Sequence, residues 1–222
     1  MSETKGRLIL IVGPSCSGKT HLLKSLMTFM PDDFCRLISF TTRERRSGEV
    51  DGEEFHFVSL EDVGRFERNG DVIESVVYAG AVRGARVTDL QSALESGKAV
   101  LKIVEPSGVH EYKEAAACFG FEVVTVFCVA SEKEILARWI DRCMGTAASD
   151  LSDSELQERL DSTLDRILLT LKQEVQWIDQ GSYQFYFDPA SAPFQTLCYA
   201  LQRVAQGRVS RDMIPRLAPR QF

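Results

Sequence analysis

Arg7-Leu8-Ile9-Leu10-Ile11-Val12-Gly13-Pro14-Ser15-Cys16-Ser17-Gly18-Lys19-Thr20 is the stretch whose reading decides the fold. Leu8 to Val12 are apolar and mostly branched, the composition of a parallel strand buried on both faces. The next eight residues place glycine, glycine, lysine and threonine at the four fixed positions of a phosphate-binding loop. His21-Leu22-Leu23-Lys24-Ser25-Leu26-Met27 follows, with Leu22, Leu23 and Leu26 at helical spacing. Strand, loop and helix in that order imply backbone N–H groups that cradle a polyphosphate at the positive end of a helix. A chance glycine-rich turn is the plainer alternative, and the four fixed positions in their proper context weigh against it. The expected ligand is a nucleoside triphosphate held by Gly13, Pro14, Ser15, Cys16, Ser17, Gly18, Lys19 and Thr20. Lys19 is expected at the β- and γ-phosphates, and Thr20 is expected to offer its hydroxyl to Mg²⁺.

The 222 residues suit one well-cored domain better than two. A hydrophobic fraction of 44% beside 26% charged residues is ordinary for a globular protein. No apolar run approaches the roughly 20 residues of a membrane span, and the first strand begins too early to leave room for a signal peptide. The six cysteines (Cys16, Cys35, Cys118, Cys128, Cys143 and Cys198) are scattered and form no close-spaced pair. They are expected to be reduced, in a cytoplasmic protein, with no zinc site. A net charge of −6 argues against general nucleic-acid binding. The one basic segment is the tail 207–222, with four arginines against Asp212, expected to be a loosely attached extension.

Strand signals alternate with helical ones, so an α/β fold with a mostly parallel sheet flanked by helices is expected. Strands are predicted over Arg7–Val12, Arg36–Phe40, Lys98–Val104, Phe121–Val129 and Tyr183–Phe187. Helices are predicted over Lys19–Phe29, Leu60–Asn69, Thr88–Ser96, Ser107–Phe119, Ser131–Met144 and Asp153–Gln180. Ser131 and Glu134 form a capping-box pattern at the fifth of these. Residues 49–85 break the alternation with two short β-like pieces, Phe55–Val58 and Val72–Tyr78, which predict a small separate sheet. The small-residue connector 145–152 lies between arginine-bearing helices, where a closing lid or an ordinary surface loop would both fit.

Thr41-Thr42-Arg43-Glu44-Arg45-Arg46-Ser47-Gly48-Glu49 follows the second strand, and arginine's planar fork suits a second substrate's phosphate. The block Ser39-Phe40-Thr41-Thr42-Arg43, continued by Arg46-Ser47-Gly48-Glu49-Val50-Asp51-Gly52-Glu53-Glu54-Phe55-His56-Phe57-Val58-Ser59, closely resembles the guanylate kinase family. Ile73-Glu74, Gly80, Gly84, Glu95-Ser96-Gly97-Lys98 and Leu136-Ala137-Arg138-Trp139-Ile140-Asp141-Arg142 extend the resemblance, which covers roughly residues 7–188. It implies a P-loop core over 1–38, 86–137 and 160–206, a nucleoside monophosphate-binding insert over 39–85 and a helical lid over 138–159. It also implies transfer of the γ-phosphoryl of ATP to GMP or dGMP, with Mg²⁺. Arg43 and Arg46 match the arginines for the acceptor phosphate, and Ser39 and Glu74 match residues that read guanine. Arg138 and Arg142 match lid arginines, with Arg159 on the helix beyond.

Departures from the family pattern cluster at the acceptor. Phe55 and Arg83 stand where tyrosines are usual, and Ala85 lacks the hydroxyl that would help recognise guanine O6. Arg83 is expected to supply positive charge to the phosphate instead. At the end of the strand Ala99-Val100-Leu101-Lys102-Ile103-Val104-Glu105, Ile103 takes the first of two acidic places and Glu105 the second, where it can meet the metal shell or the base. Cys16 replaces a common glycine. Two other functions stay open on sequence: a P-loop kinase with a different phosphorylated acceptor, and a non-catalytic guanylate-kinase-like binding module.

Overall fold

A computed structural model describes residues 6–78, 80–131, 133–135, 137, 138, 141, 152, 154, 157, 183, 185–187 and 194–206. Two sheets form. The first is wholly parallel, built from β1 (Arg7–Val12), β2 (Phe34–Arg36), β7 (Ala99–Ile103), β8 (Glu122–Cys128) and β9 (Phe185–Phe187), in the order β2-β7-β1-β8-β9. The second is mixed, built from β3 (Phe40–Thr41), β4 (His56–Phe57), β5 (Val72–Tyr78) and β6 (Ala81–Arg86), in the order β4-β3-β6-β5.

β1 is central because it is apolar on both faces, and each face has its own core. Ile9 and Ile11 pack with Leu22 and Leu26 of α1 (Lys19–Phe29) and with Leu201 of α5 (Phe194–Ala205). Leu8, Leu10 and Val12 pack with Leu90 of α3 (Val87–Glu95) and with Val109 and Tyr112 of α4 (Gly108–Phe119). These five strand residues are completely buried, and each such side chain contributes about 1.5–3 kcal/mol relative to exposure. The strand that carries the phosphate loop is therefore firmly anchored on both faces.

The second sheet has a smaller core, where Phe40 meets Phe66 of α2 (Leu60–Arg68) at 5.8 Å between ring centroids. A reciprocal capping box between Ser59 and Asp62 starts α2, satisfying two N–H groups that a helix start leaves unbonded.

The single strand predicted over Arg36–Phe40 is instead two strands in two sheets. Leu37 still donates its N–H to the Leu101 carbonyl and packs in the main core. Three residues later Phe40 buries itself under the second sheet. The two side chains go into different cores, so the chain changes sheets between them. Two described elements had no counterpart in the sequence reading, β6 and α5. The capping box at Ser131 is present, and the described residues of 133–141 are helical. Most of the helix predicted over Asp153–Gln180 and the tail 207–222 lie outside the described residues.

Candidate active site

The phosphate loop leaves the C-terminal end of β1, between β7 and β8, where parallel sheets collect their ligands. Gly13 takes φ +143°, and a Cβ there would stand 2.6 Å from the Cys128 carbonyl oxygen of β8, so only glycine fits. Gly18 takes φ +97° at the turn into α1. Cys16 has φ +65°, the one positive φ among described non-glycine residues. That conformation explains why glycine is common at this place and why a cysteine there carries strain.

Lys19 Nζ lies back over the loop, donating to the carbonyls of Gly13 at 2.7 Å and Pro14 at 2.6 Å. Ser17 is completely buried, and its hydroxyl has no hydrogen-bond partner among the described residues. A buried hydroxyl left this way costs about 1–3 kcal/mol, and a phosphate oxygen would relieve it. Thr20 is exposed on the first turn of α1. Arg138 donates from Nη1 to the Cys16 carbonyl at 2.9 Å and pairs with Glu134 at 3.4 Å. A second cation therefore touches the rim of the loop. Beneath it, burial pushes the Cys128 thiol up to about 12, against the pull of nearby Lys19, so it stays protonated.

A basic corner forms where β3 and β6 pair, Thr41 opposite Arg83. Arg43 makes a two-pronged contact with Glu49, Nη1 to Oε2 at 2.9 Å and Nη2 to Oε1 at 2.8 Å. The Arg43 fork, aided by the Arg46 backbone N–H at 2.8 Å, holds the Glu49 carboxyl down at about 2. Phe55 lies beside two guanidinium groups, 5.6 Å from Arg43 and 5.3 Å from Arg83. The side chain of Arg46 is exposed. Arg43, Arg46, Phe55 and Arg83 thus share one corner, and Glu49 fills the Arg43 fork with a flat pair of oxygens, as a phosphate would.

A second cluster contains groups that the sequence reading passed over. Glu74 on β5 accepts at Oε1 from the Tyr112 hydroxyl at 2.9 Å and pairs there with Lys102 Nζ at 3.4 Å. Lys102 also donates to Ser39 Oγ at 2.5 Å. Lys102 is 5% exposed and Tyr112 0%. Burial lowers the Lys102 pKa and Glu74 opposes the shift; burial and then Glu74 raise that of Tyr112 well above its ordinary value. Gly108 opens α4 with no room to spare, since a Cβ would lie 2.7 Å from Glu74 Oε2. A lysine amid an apolar strand gives no hint in sequence that its ammonium is buried; only the alternation of β7, which puts Val100, Lys102 and Val104 on one face, points the way.

Ile103 faces the opposite side, against the α1 core, and Glu105 is exposed. β7 runs beside β1 with Ile103 level with Ile11, which sets the buried Lys102 cluster next to the strand that delivers the phosphate loop. Ala85 is completely buried. Arg142 and Arg159 lie outside the described residues. Among those residues no three His, Cys, Asp or Glu side chains gather as a metal cage, and no helix is long and apolar enough to cross a membrane.

The sequence profile of the guanylate kinase family matches residues 5–166. The guanylate kinase of Helicobacter hepaticus is 35% identical over 154 residues, 69% of this chain and 74% of that protein. That of Nostoc sp. is 30% identical over 196 residues, 88% of this chain and 89% of the relative. The crystal structure of guanylate kinase from Anaplasma phagocytophilum superposes with a TM-score of 0.54, covering 92% of this chain and 87% of that one. At 18% identity that likeness shows the shared fold.

Proposed function

The chain belongs to the guanylate kinase family, and we propose that it transfers the γ-phosphoryl group of ATP to GMP, and to dGMP, giving ADP and GDP or dGDP. What supports this most is that one fold holds a phosphate loop capped by Lys19 at the end of β1 and, on its second sheet, a basic corner of Arg43 and Arg83 beside Phe55. An oxygen of the acceptor phosphate attacks the γ-phosphorus in line; the new P–O bond forms as the bond to the β-phosphate oxygen breaks, and ADP leaves. Such a transfer asks little covalent chemistry of the protein, so positioning and charge neutralisation do most of the catalysis.

Each residue has a part in this scheme. Lys19 swings from the Gly13 and Pro14 carbonyls to the β- and γ-phosphates, and Ser17 Oγ and the loop N–H groups gain acceptors. Arg43 exchanges Glu49 for the acceptor phosphate, with Arg46 and Arg83 alongside and Phe55 supporting both guanidinium groups. Arg138 turns from the Cys16 carbonyl toward the migrating phosphoryl, with Arg142 and Arg159 joining from the lid. Ser39 and Glu74 face the base. The hard hydroxyl oxygen of Thr20 suits Mg²⁺: with the nucleotide's phosphates it would hold the ion, which would neutralise phosphate charge. Core, insert and lid take the bounds given above.

The test is ADP release from Mg-ATP with GMP, dGMP, AMP, CMP, UMP and IMP as separate acceptors. Turnover with GMP and dGMP is expected, falling about a hundredfold or more in Lys19→Ala. ATP binding without turnover on GMP would overturn the assignment.

A further inference from the structure

Lys102 is a buried ammonium that neither the phosphate loop nor the phosphate corner uses. An apolar residue of its size would pack on β7 without the cost of desolvating a charge. Its ammonium nevertheless meets polar groups: Ser39 Oγ at 2.5 Å and Glu74 Oε1 at 3.4 Å, with Tyr112 bonded to the same carboxylate oxygen. An ammonium has three N–H donors, and Ser39 and Glu74 take two of them. Both contacts to Glu74 fall on Oε1, so Oε2 is engaged by neither. The two side chains therefore present a donor beside an acceptor.

A keto purine carries the complement on its edge, a carbonyl oxygen at C6 next to an N–H at N1. Position 85 is a completely buried alanine and has no hydroxyl to offer that carbonyl. We propose that Lys102 is a specificity-determining residue of the acceptor site: its ammonium donates to the C6 carbonyl oxygen of a keto purine while Glu74 accepts from N1–H and the 2-amino group. This rests on Ser39 and Glu74 facing the acceptor base, as in the function proposed above. Lys102 thereby supplies the donor that Ala85 cannot, from β7 of the other sheet and with a charge behind it.

6-Thio-GMP isolates the contact, since it keeps N1–H and the 2-amino group but offers a poorly accepting sulfur at C6. Equilibrium dissociation constants for GMP and 6-thio-GMP are measured by calorimetry, alongside turnover, in the wild type, Lys102→Met and Lys102→Gln. Wild type is expected to favour GMP by roughly tenfold or more, the ratio for a hydrogen bond from a charged donor. Lys102→Met is expected to bring the ratio within about threefold of unity, and Lys102→Gln, which keeps an N–H donor, to retain part of it. Equal weakening of both ligands in Lys102→Met would overturn the proposal and leave Lys102 as a structural brace; so would a wild type that binds the two alike. Absent turnover on GMP would count against the kinase activity alone, because the binding ratio still reads the base contact.

Discussion

An alanine at position 108 would put a methyl carbon 2.7 Å from Glu74 Oε2 and 3.4 Å from Glu111 Oε2. Carbon–oxygen contacts settle at about 3.3 Å or more, so the Glu74 carboxylate must retreat by about 0.6 Å. The Tyr112 hydroxyl lies 2.9 Å from its other oxygen, and a shift of that size stretches this bond beyond good geometry. A carboxylate misplaced against the base loses a hydrogen bond to a charged group, about 1.5–3 kcal/mol. That is roughly a ten- to hundredfold loss in kcat/KM for GMP. Stability should move the other way. Gly108 opens a helix without a positive φ, and alanine in a helix is better than glycine by up to about 1 kcal/mol. The assay is steady-state kinetics on GMP at saturating Mg-ATP, paired with a thermal melt. The expected result is impaired acceptor use, an unchanged KM for ATP and an equal or higher Tm. A kcat/KM within twofold of wild type would refute the placement of Glu74 at the base.

Three further outcomes follow from the geometry. Gly84→Ala drives a Cβ into the Phe40 ring and the Glu74 carbonyl oxygen, an overpacking that should cost about 1–3 kcal/mol in a denaturant titration and weaken GMP binding. Glu49 has its carboxyl pulled from 4.5 to about 2 in the folded protein, chiefly by Arg43; its contribution is therefore complete above pH 4.5 and is lost as pH falls toward 2. Melts of wild type and Glu49→Gln should accordingly differ by a constant amount above pH 5 and draw together progressively as pH falls from 4.5 toward 2. Cys16 occupies a left-handed conformation. Cys16→Gly should hold stability within about 0.5 kcal/mol, because lost strain offsets the entropy of glycine. Cys16→Val should lose about 1–2 kcal/mol on the same melts, because a branched Cβ crowds that conformation.

The parts legible in sequence are those whose physics is local. β1 announced itself by being apolar on both faces, and the loop by glycines that the backbone needs at Gly13 and Gly18. The second sheet showed in Val72–Tyr78 because five of its seven residues are β-branched or aromatic. β6 did not, since Ala81-Val82-Arg83-Gly84-Ala85-Arg86 contains one β-branched residue and a glycine. It is extended because β3 and β5 pair with it on both sides, and Gly84 is there because Phe40 and the β5 backbone leave no space for a side chain. The break after Leu37 was equally invisible: each residue from Arg36 to Phe40 suits a strand, and only two separate cores divide them.

By itself, the sequence determined that a parallel strand feeds a phosphate loop and a helix, that arginines follow the second strand, and that the chain departs from the family pattern at Phe55, Arg83 and Ala85. Those properties belong to residues adjacent in the chain, where spacing and composition carry the chemistry. Tertiary structure alone decided that Ser39, Glu74, Lys102, Gly108 and Tyr112 meet. They come from the segment between two sheets, a strand of each sheet and one helix, up to 73 positions apart as the chain is numbered. A buried ammonium is tolerable only where a carboxylate and a hydroxyl from distant segments fold against it, and no local pattern records that meeting.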